Sequence, residues 1–203
     1  MTEEYDPNLE LDEVEPRSAV VRRSKFVDFP ADADDIQTDL LQAVEVQTQP
    51  IAERQRLISA RIQIPHPVEH VWQVLTDYEA LADFIPNLAK SRLLDHPAGG
   101  IRLEQVGTQK LLRFNFSARV VLDLEEKFPH EINFTLVEGD LRDYSGSWRL
   151  EPTSPTQQST NLGYTVHVWP KRTTPVAIIE RRLCSDLRLN LLAIRQRADE
   201  LFG

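Results

Sequence analysis

Alternating apolar and polar residues predict a run of β-strands in the middle of the chain. The longest alternation covers residues 112–124, where most odd positions are polar and every even position is apolar. The apolar members are Leu112, Phe114, Phe116, Ala118, Val120, Leu122 and Leu124. Side chains of a strand point alternately to its two faces, so this segment is expected to have one dry and one wet face.

The same preference for even positions occurs in four further segments. Two shorter strand-like runs also flank a turn at residues 97–100. The even apolar sets are Ile58, Ala60, Ile62 and Ile64; Ile132, Phe134 and Leu136; Tyr144, Trp148 and Leu150; and Leu162, Tyr164, Val166 and Val168. The connections after residue 124 are short, polar or rich in Gly and Pro, which favours antiparallel neighbours.

Two regions have helical periodicity instead. After Pro67 the apolar positions predict two short helices joined near residues 76–79, with a break near Pro86. From Pro175 to the end they predict one long amphipathic helix, with Thr174 as a cap and with arginines, among them Arg182, on much of its solvent side. Its apolar stripe is Val176, Ile179, Leu183, Leu187, Leu191, Ile194 and Ala198.

These elements predict an α+β fold. A sheet with one dry face needs a cover, and the C-terminal helix is the only element large enough to supply it. We therefore expect a curved antiparallel sheet wrapped around that helix, with two short helices after the first strand.

Charge separates the N-terminal segment from the rest of the chain. Residues 1–50 contain thirteen acidic and four basic residues and so carry the whole net charge of −9, whereas residues 51–203 contain 19 of each sign. Residues 1–45 are expected to form an acidic, mostly disordered tail, and residues 46–203 one folded domain. Whether the segment 34–46 forms a short helix or leads into the first strand stays open.

Composition excludes several functional classes. No apolar stretch is long enough for a membrane-spanning helix, and the acidic N-terminus has no secretory signal pattern. The single cysteine, Cys184, allows no internal disulfide, so a cytoplasmic location is expected. The neutral domain has no basic stripe with stacking aromatics, so no nucleic-acid partner is expected.

Three separated blocks resemble a known superfamily. They are VWQVLTDYEALADFIPNL at 71–88, QKLLRFNFSARVVLDLEE at 109–126 and PVAIIERRLCSDLRLNLLAIRQRADEL at 175–201. In this order they resemble the START-related SRPBCC superfamily of polyketide cyclase/dehydrase and coenzyme-Q-binding, lipid-transport-like proteins, of the cyanobacterial and plastid type. The resemblance covers residues 50–203 and implies a helix-grip fold, often with a hydrophobic cavity between the sheet and the C-terminal helix.

The dry face and the final helix supply the candidate ligand-binding residues. The expected ligand is a hydrophobic small molecule, such as a lipid or a prenylquinone, held by a few polar contacts. Asn190 is unusual because it flanks an apolar stripe, so its amide needs either a neighbouring strand or a ligand headgroup as a partner. The candidates are Trp72, Phe114, Phe116, Phe134, Tyr144, Trp148, Tyr164, Leu187, Asn190, Leu191 and Ile194.

Two other functional classes remain open on the same scaffold. A cyclase- or dehydratase-like enzyme requires a titratable group that points inward. Glu104, Glu138 and Asp143 are weak candidates because turns or bulges could reset the alternation there, whereas the odd position of His167 predicts that it faces water. A protein-interaction module would instead use the acidic tail and the outer face of the sheet. No catalytic residue, no cofactor and no metal are predicted; His66 and His70 have helical metal-pair spacing, but His66 lies between two prolines before the helix.

The loop WPKRTTP at 169–175 is the candidate for contact with a membrane surface. It carries Trp169, Lys171 and Arg172 between an apolar strand and the long helix. An aromatic ring and two cations suit transient contact with an anionic surface during ligand exchange, although an ordinary connector has the same composition.

Overall fold

The sheet strands follow the predicted alternation closely. The computed structural model describes residues 43–111, 114–154, 157–172 and 175–203, without the side chains of 109–111, 114–116 and 157. The strands are β1 (Glu45–Ala52), β2 (Gln55–Ile64), β3 (Leu88–Leu94), β4 (Ile101–Leu111), β5 (Phe114–Lys127), β6 (Glu131–Gly139), β7 (Leu141–Ser154) and β8 (Gln157–Pro170). The helices are α1 (Val68–Thr76), α2 (Leu81–Phe84) and α3 (Val176–Phe202).

The described residues form one antiparallel sheet of eight strands. Its order is β1-β2-β8-β7-β6-β5-β4-β3. The second strand, β2, therefore pairs with the last strand, β8, although the two lie far apart in the sequence. Helix α3 packs on β1 and β2 and also contacts α1. The predicted α+β fold, a curved antiparallel sheet that holds the C-terminal helix, is confirmed.

The even-numbered positions of β2 and β8 form the dry face. Ile58 pairs with Val166 and Ile62 with Leu162, and all four are at most 3% exposed. Helix α3 covers this face with its own apolar stripe, of which Leu191 and Ile194 are almost fully buried. The apolar face of the strands, which repeats every two residues, thus packs against the apolar stripe of the helix, which repeats every 3.6 residues, in a single core.

Val121 is buried although it occupies an odd position. It lies on the outer face between Glu104 of β4 and Glu138 of β6 in the strand register, and it is 3% exposed. The Arg119 guanidinium bonds both carboxylates, at 2.7 Å each. The arginine that bridges these two neighbours therefore shields the valine between them from water.

Two features differ from the sequence predictions, and the predicted disordered tail stays a prediction. Strand β1 was not predicted as a separate strand, because its residues do not alternate strictly. Pro175 occupies the N-cap position of α3 and gives no side-chain cap, while Thr174 lies outside the described residues. The predicted tail also lies outside them except for its last three residues.

Contacts with residues at the start of α1 hold the C-terminal end of α3 in place. His66 Nε2 lies 2.7 Å from the Asp199 carboxylate, and the His70 ring stacks on Phe202 with centroids 4.0 Å apart. These residues join the start of α1 to the last turn of α3. The helix is therefore held to the domain at its C-terminal end as well as along its stripe.

Candidate functional site

A partly open cavity lies between the sheet and α3. Its volume is about 260 Å³, and most of its lining is apolar. The apolar lining comes from α1, α2 and the inner faces of β3 to β8 on one side and from α3 on the other. Space of this kind suits a small apolar molecule.

Small residues help to leave this space unfilled. Gly107 of β4 pairs with Ala118 of β5, and both line the cavity. A larger pair at this position would extend side chains into the volume between sheet and helix. The cavity therefore depends on two positions whose side chains are almost absent.

Four aromatic rings line the opposite part of the cavity. Phe134 stacks on Tyr164 with centroids 5.6 Å apart and lies 5.5 Å from Tyr144, while Trp148 lies 4.3 Å from Tyr164. Gly146 permits this packing, because a Cβ atom there would lie 2.8 Å from Phe134 Cζ. The rings thus pack against each other, and Phe134 also packs against the backbone at Gly146.

Two tyrosines supply hydroxyl groups within this apolar wall. Tyr144 and Tyr164 are hydrogen-bonded to each other with 2.8 Å between their oxygens. Burial raises the pKa of both phenols, that of Tyr164 strongly. Both therefore stay neutral at physiological pH and act as hydrogen-bonding groups.

One face of α3 adds a polar stripe to the lining. Arg182, Asp186 and Asn190 are spaced by four residues and all line the cavity beside the apolar stripe. Burial raises the pKa of the Asp186 carboxyl, although the Asn87 hydrogen bond and the positive charge of Arg182 act in the opposite direction. This carboxyl group is the one acidic side chain among the cavity-lining residues that the structure describes.

The amide of Asn190 has an unmet hydrogen-bonding requirement. Its Oδ1 atom is buried and has no hydrogen-bond partner among the described residues. A buried polar atom without a partner is unfavourable by about 1–3 kcal/mol. A ligand that donates a hydrogen bond here would remove that penalty.

Asn87 connects the sheet with the helix at the cavity. Its Nδ2 donates to Asp186 Oδ1 at 3.1 Å, and its carbonyl oxygen accepts from the Thr108 amide at 2.8 Å. Its φ of 63° is in the left-handed region, which asparagine tolerates better than most residues. This residue therefore links β3, β4 and α3 at one point of the cavity.

The structure places seven of the eleven predicted ligand-binding residues along the cavity. Trp72 and Leu191 are buried but do not line it; Trp72 packs edge-on against Phe128 instead. The side chains of Phe114 and Phe116 lie outside the described part of the structure. The seven are Phe134, Tyr144, Trp148, Tyr164, Leu187, Asn190 and Ile194.

Sequence reasoning missed five polar lining residues, which are Asn87, Gln105, Thr108, Arg182 and Asp186. Arg182 was expected on the solvent side, but it lines the cavity because the apolar stripe of α3 and the polar residues beside it face the same space. The spacing of Arg182, Asp186 and Asn190 was visible in the sequence. Nothing in the sequence indicated Asn87, whose position depends on a turn conformation.

The charged residues considered for catalysis lie away from the cavity. The Glu104 carboxylate is bonded by Lys90 at 2.6 Å, Arg92 at 3.1 Å and Arg119 at 2.7 Å, and Glu138 shares Arg119. These hydrogen bonds lower the pKa of Glu104 to about 2. It therefore serves as the centre of an ion-pair network on the outer face.

The other two candidates also form an outer-face pair. His167 Nδ1 lies 2.8 Å from Asp143 Oδ2, and its Nε2 lies 3.0 Å from Gln55 Oε1. Both ring nitrogens are thus occupied by neighbouring side chains. Neither residue lines the cavity: His167 lies outside it, as its odd position predicts, and Asp143, a weak candidate, does not point inward.

Within the described ranges, no group of three or more His, Cys, Asp or Glu side chains could hold a metal ion. In the same ranges no helix is long and apolar enough to cross a membrane.

A curved antiparallel sheet that grips a long C-terminal helix, with a cavity between them, defines the helix-grip class of START-related proteins. The chain belongs to the family described as polyketide cyclase / dehydrase and lipid transport, which it matches over residues 64–195. That description covers both enzymes and carriers. No curated protein matches the chain.

Solved structures share this fold at low sequence identity. A STAR-related lipid transfer protein from Xanthomonas axonopodis is 15% identical with a TM-score of 0.63, covering 78% of this chain and 94% of its own. The Zhui aromatase/cyclase from Streptomyces sp. R1128 is 18% identical with a TM-score of 0.59, covering 71% and 94%. A START superfamily protein from Mycobacterium smegmatis is 17% identical with a TM-score of 0.60, covering 71% and 98%.

Proposed function

We propose that the protein binds or carries a hydrophobic small molecule, such as a lipid or a prenylquinone, between the sheet and α3. The observation that carries this proposal is the mainly apolar cavity of about 260 Å³ with a few polar groups in its wall. An apolar cavity of about 150 Å³ holds benzene. The present volume therefore suits a ligand, or a part of one, with about ten non-hydrogen atoms.

Uptake of an apolar fluorescent probe tests this proposal. We expect saturable binding by the purified protein, and a co-purifying ligand in native mass spectrometry. The variant Ala118→Phe should weaken binding at least about tenfold, because the new ring fills the cavity beside Gly107. The variant Ser117→Tyr adds similar bulk at the neighbouring exposed position and should leave binding unchanged.

The outcome against this proposal is equally definite. Uptake that is not saturable, or that Ala118→Phe and Ser117→Tyr affect alike, would mean that the probe binds elsewhere on the surface. Circular dichroism of both variants checks that each retains the fold.

A cyclase- or dehydratase-like enzyme is the second candidate. It is supported by the Asp186 carboxyl and the Tyr144–Tyr164 pair in one cavity. Burial raises the pKa of this carboxyl, which favours its use as a proton donor, and neutral phenols can donate to a developing enolate oxygen. A poly-β-keto thioester probe tests this candidate: intramolecular aldol addition converts one ketone to a hydroxyl group, which then leaves with a neighbouring C–H proton as water, and mass spectrometry detects that loss.

Such an enzyme would require the carboxyl itself. Asp186→Asn should then lower kcat about 100-fold or more, while Asp95→Asn on the surface leaves it unchanged. Tight probe binding without any turnover would exclude this enzyme and leave ligand carriage as the one remaining candidate.

We also propose a cytoplasmic protein that touches a membrane surface transiently through the loop after β8. Lys171 and Arg172 are exposed, and Lys171 is steadied by donating to the Gly139 carbonyl at 3.0 Å. The Arg142 guanidinium lies 5.0 Å from the ring centroid of Trp169, which is the last residue but one of β8, so this aromatic side chain has a cation beside it. Anionic lipid attracts basic residues by about 1 kcal/mol each.

Vesicle co-sedimentation tests this contact. Vesicles that contain phosphatidylserine should retain the protein better than pure phosphatidylcholine vesicles, and Lys171→Glu with Arg172→Glu should remove the difference. Joint reversal of Arg181 and Arg188, which are both exposed on α3, changes the net charge equally and is the matched control. Equal retention by the two vesicle types would exclude an electrostatic contact.

A further inference from the structure

The polar groups of the cavity are unequal in what they offer a ligand. Asn190 Oδ1 is a buried acceptor without a donor among the described residues. The Asp186 carboxyl lies one helical turn before it in the same lining. An approaching headgroup therefore meets acceptor oxygens at Asp186 and Asn190, while the Arg182 guanidinium lies one turn before them on α3.

The tyrosine pair offers one donor. Tyr144 and Tyr164 share a single hydrogen bond, and the described residues provide no other partner for either hydroxyl. Two hydroxyls that bond each other use one of their two protons, so one proton remains available to an acceptor. The cavity thus combines an unmet acceptor at Asn190 with an available proton of the tyrosine pair, and the Thr108 hydroxyl and Gln105 amide also lie in its wall.

We infer that the cavity selects an uncharged, hydroxyl-bearing apolar molecule, an alcohol or a phenol, over a carboxylate or an ether of the same size. This inference rests on the proposed ligand binding. A hydroxyl group donates one hydrogen bond, which Asn190 Oδ1 lacks, and its oxygen still accepts one. An ether cannot donate, and so it leaves the asparagine oxygen unpaired.

A ligand carboxylate meets two obstacles. It has no proton to give to Asn190 Oδ1, and it approaches a wall that already contains Asp186. Arg182 does not remove the second obstacle, because its positive charge already acts on Asp186 and a ligand anion would have to compete for it. A buried pair of carboxyl groups is unfavourable when both are ionised.

Three probes of similar size separate these possibilities. Nonan-1-ol and 1-methoxyoctane have the same number of non-hydrogen atoms and differ in the donor proton, while nonanoate carries a charge. Each is measured by displacement of a bound fluorescent probe from the full chain at pH 7. We expect the alcohol to bind at least about tenfold more tightly than the ether, and the carboxylate most weakly.

Asn190→Leu identifies the group responsible. This substitution removes the acceptor with little change in volume, so the ratio of alcohol to ether affinity should fall to about one. Gln196→Leu changes an exposed amide on the same helix and should leave the ratio as in the parent protein. The comparison of alcohol with ether in the unmutated protein stands even if Asn190→Leu does not fold.

The possible outcomes distinguish this inference from the function it rests on. Equal affinity for alcohol and ether, tighter binding of nonanoate, or a ratio that Asn190→Leu leaves unchanged overturns the headgroup selection while ligand binding stands. Failure of all three probes and of the fluorescent reporter to bind overturns the proposed function itself.

Discussion

The hydroxyl oxygens of Tyr144 and Tyr164 lie 2.8 Å apart at the cavity, although the two residues are not partners in the strand register. Tyr144 pairs with Val168 and Tyr164 with Trp148, so the two rings reach toward each other across the intervening Gly146–Val166 pair. A glycine at this position leaves room for their approach. The hydrogen bond therefore depends on both the register and one missing side chain.

A double-mutant cycle on this pair should be strongly non-additive. Either Tyr144→Phe or Tyr164→Phe alone leaves a buried hydroxyl without its partner, which we expect to lower the free energy of unfolding by about 1–3 kcal/mol. The double variant removes both polar groups and should be nearly neutral. Urea unfolding measures all four proteins; two small, additive effects would mean that water satisfies the hydroxyls.

Gly146 should not tolerate even a methyl group. A Cβ atom there would clash with the Thr165 carbonyl oxygen, which belongs to the backbone and cannot move aside. Gly146→Ala is expected to destabilise the protein by about 3 kcal/mol or more, and Phe134→Leu should not rescue it.

Gly163 provides the matched control for this prediction. A Cβ atom there would meet nothing closer than the Arg149 carbonyl oxygen at 3.9 Å, an ordinary contact. Thermal unfolding of Gly163→Ala should therefore resemble that of the parent protein. Similar losses in both variants would point to a general intolerance of these strands rather than to a local clash.

The stability of the outer-face network should depend on pH through Glu104. Hydrogen bonds from Lys90 and Arg119 lower its pKa from 4.5 to about 2, so the ionised form stabilises the folded state. This contribution is fully present above pH 4.5 and is lost as the pH falls toward 2. Glu104→Gln should be less stable than the parent protein at pH 7, and the difference should close over that range.

Glu138 tests whether burial of the carboxylate causes the loss of stability expected for Glu104→Gln. Its side chain is 69% exposed and it shares Arg119 with Glu104. Glu138→Gln should change thermal stability much less, because exposed ion pairs contribute little. A pH-independent gap between Glu104→Gln and the parent protein would contradict the assignment to ionisation.

Asp186 should have the opposite pH dependence. Burial raises the pKa of its carboxyl above the usual 3.8, so the folded state favours the protonated form. That contribution is present below pH 3.8 and is lost as the pH rises through the folded-state pKa. Asp186→Asn, which can still accept from Asn87, should raise the melting temperature at pH 7 but not near pH 3.8; a lower value at pH 7 would contradict the assignment.

The sequence by itself determined the dry face, the long helix and therefore the fold class. Strict alternation at Ile58 to Ile64 and in β8 leaves each strand only one face to bury, and the stripe from Ile179 to Ala198 has no other surface large enough to cover it. The same periodicity placed Tyr164 and Leu187 at the interior. These are local patterns, which a single segment contains in full.

Only the tertiary structure decided that the interior holds a cavity and which polar groups reach it. Empty space is the difference between volumes contributed by distant segments, such as Gly107 and Ala118 on neighbouring strands, and no single segment encodes it. Asn87 reaches Asp186, 99 positions away, through a left-handed turn that periodicity does not reveal. The outward positions of Glu104 and His167 likewise became certain only once partners from other strands were in place.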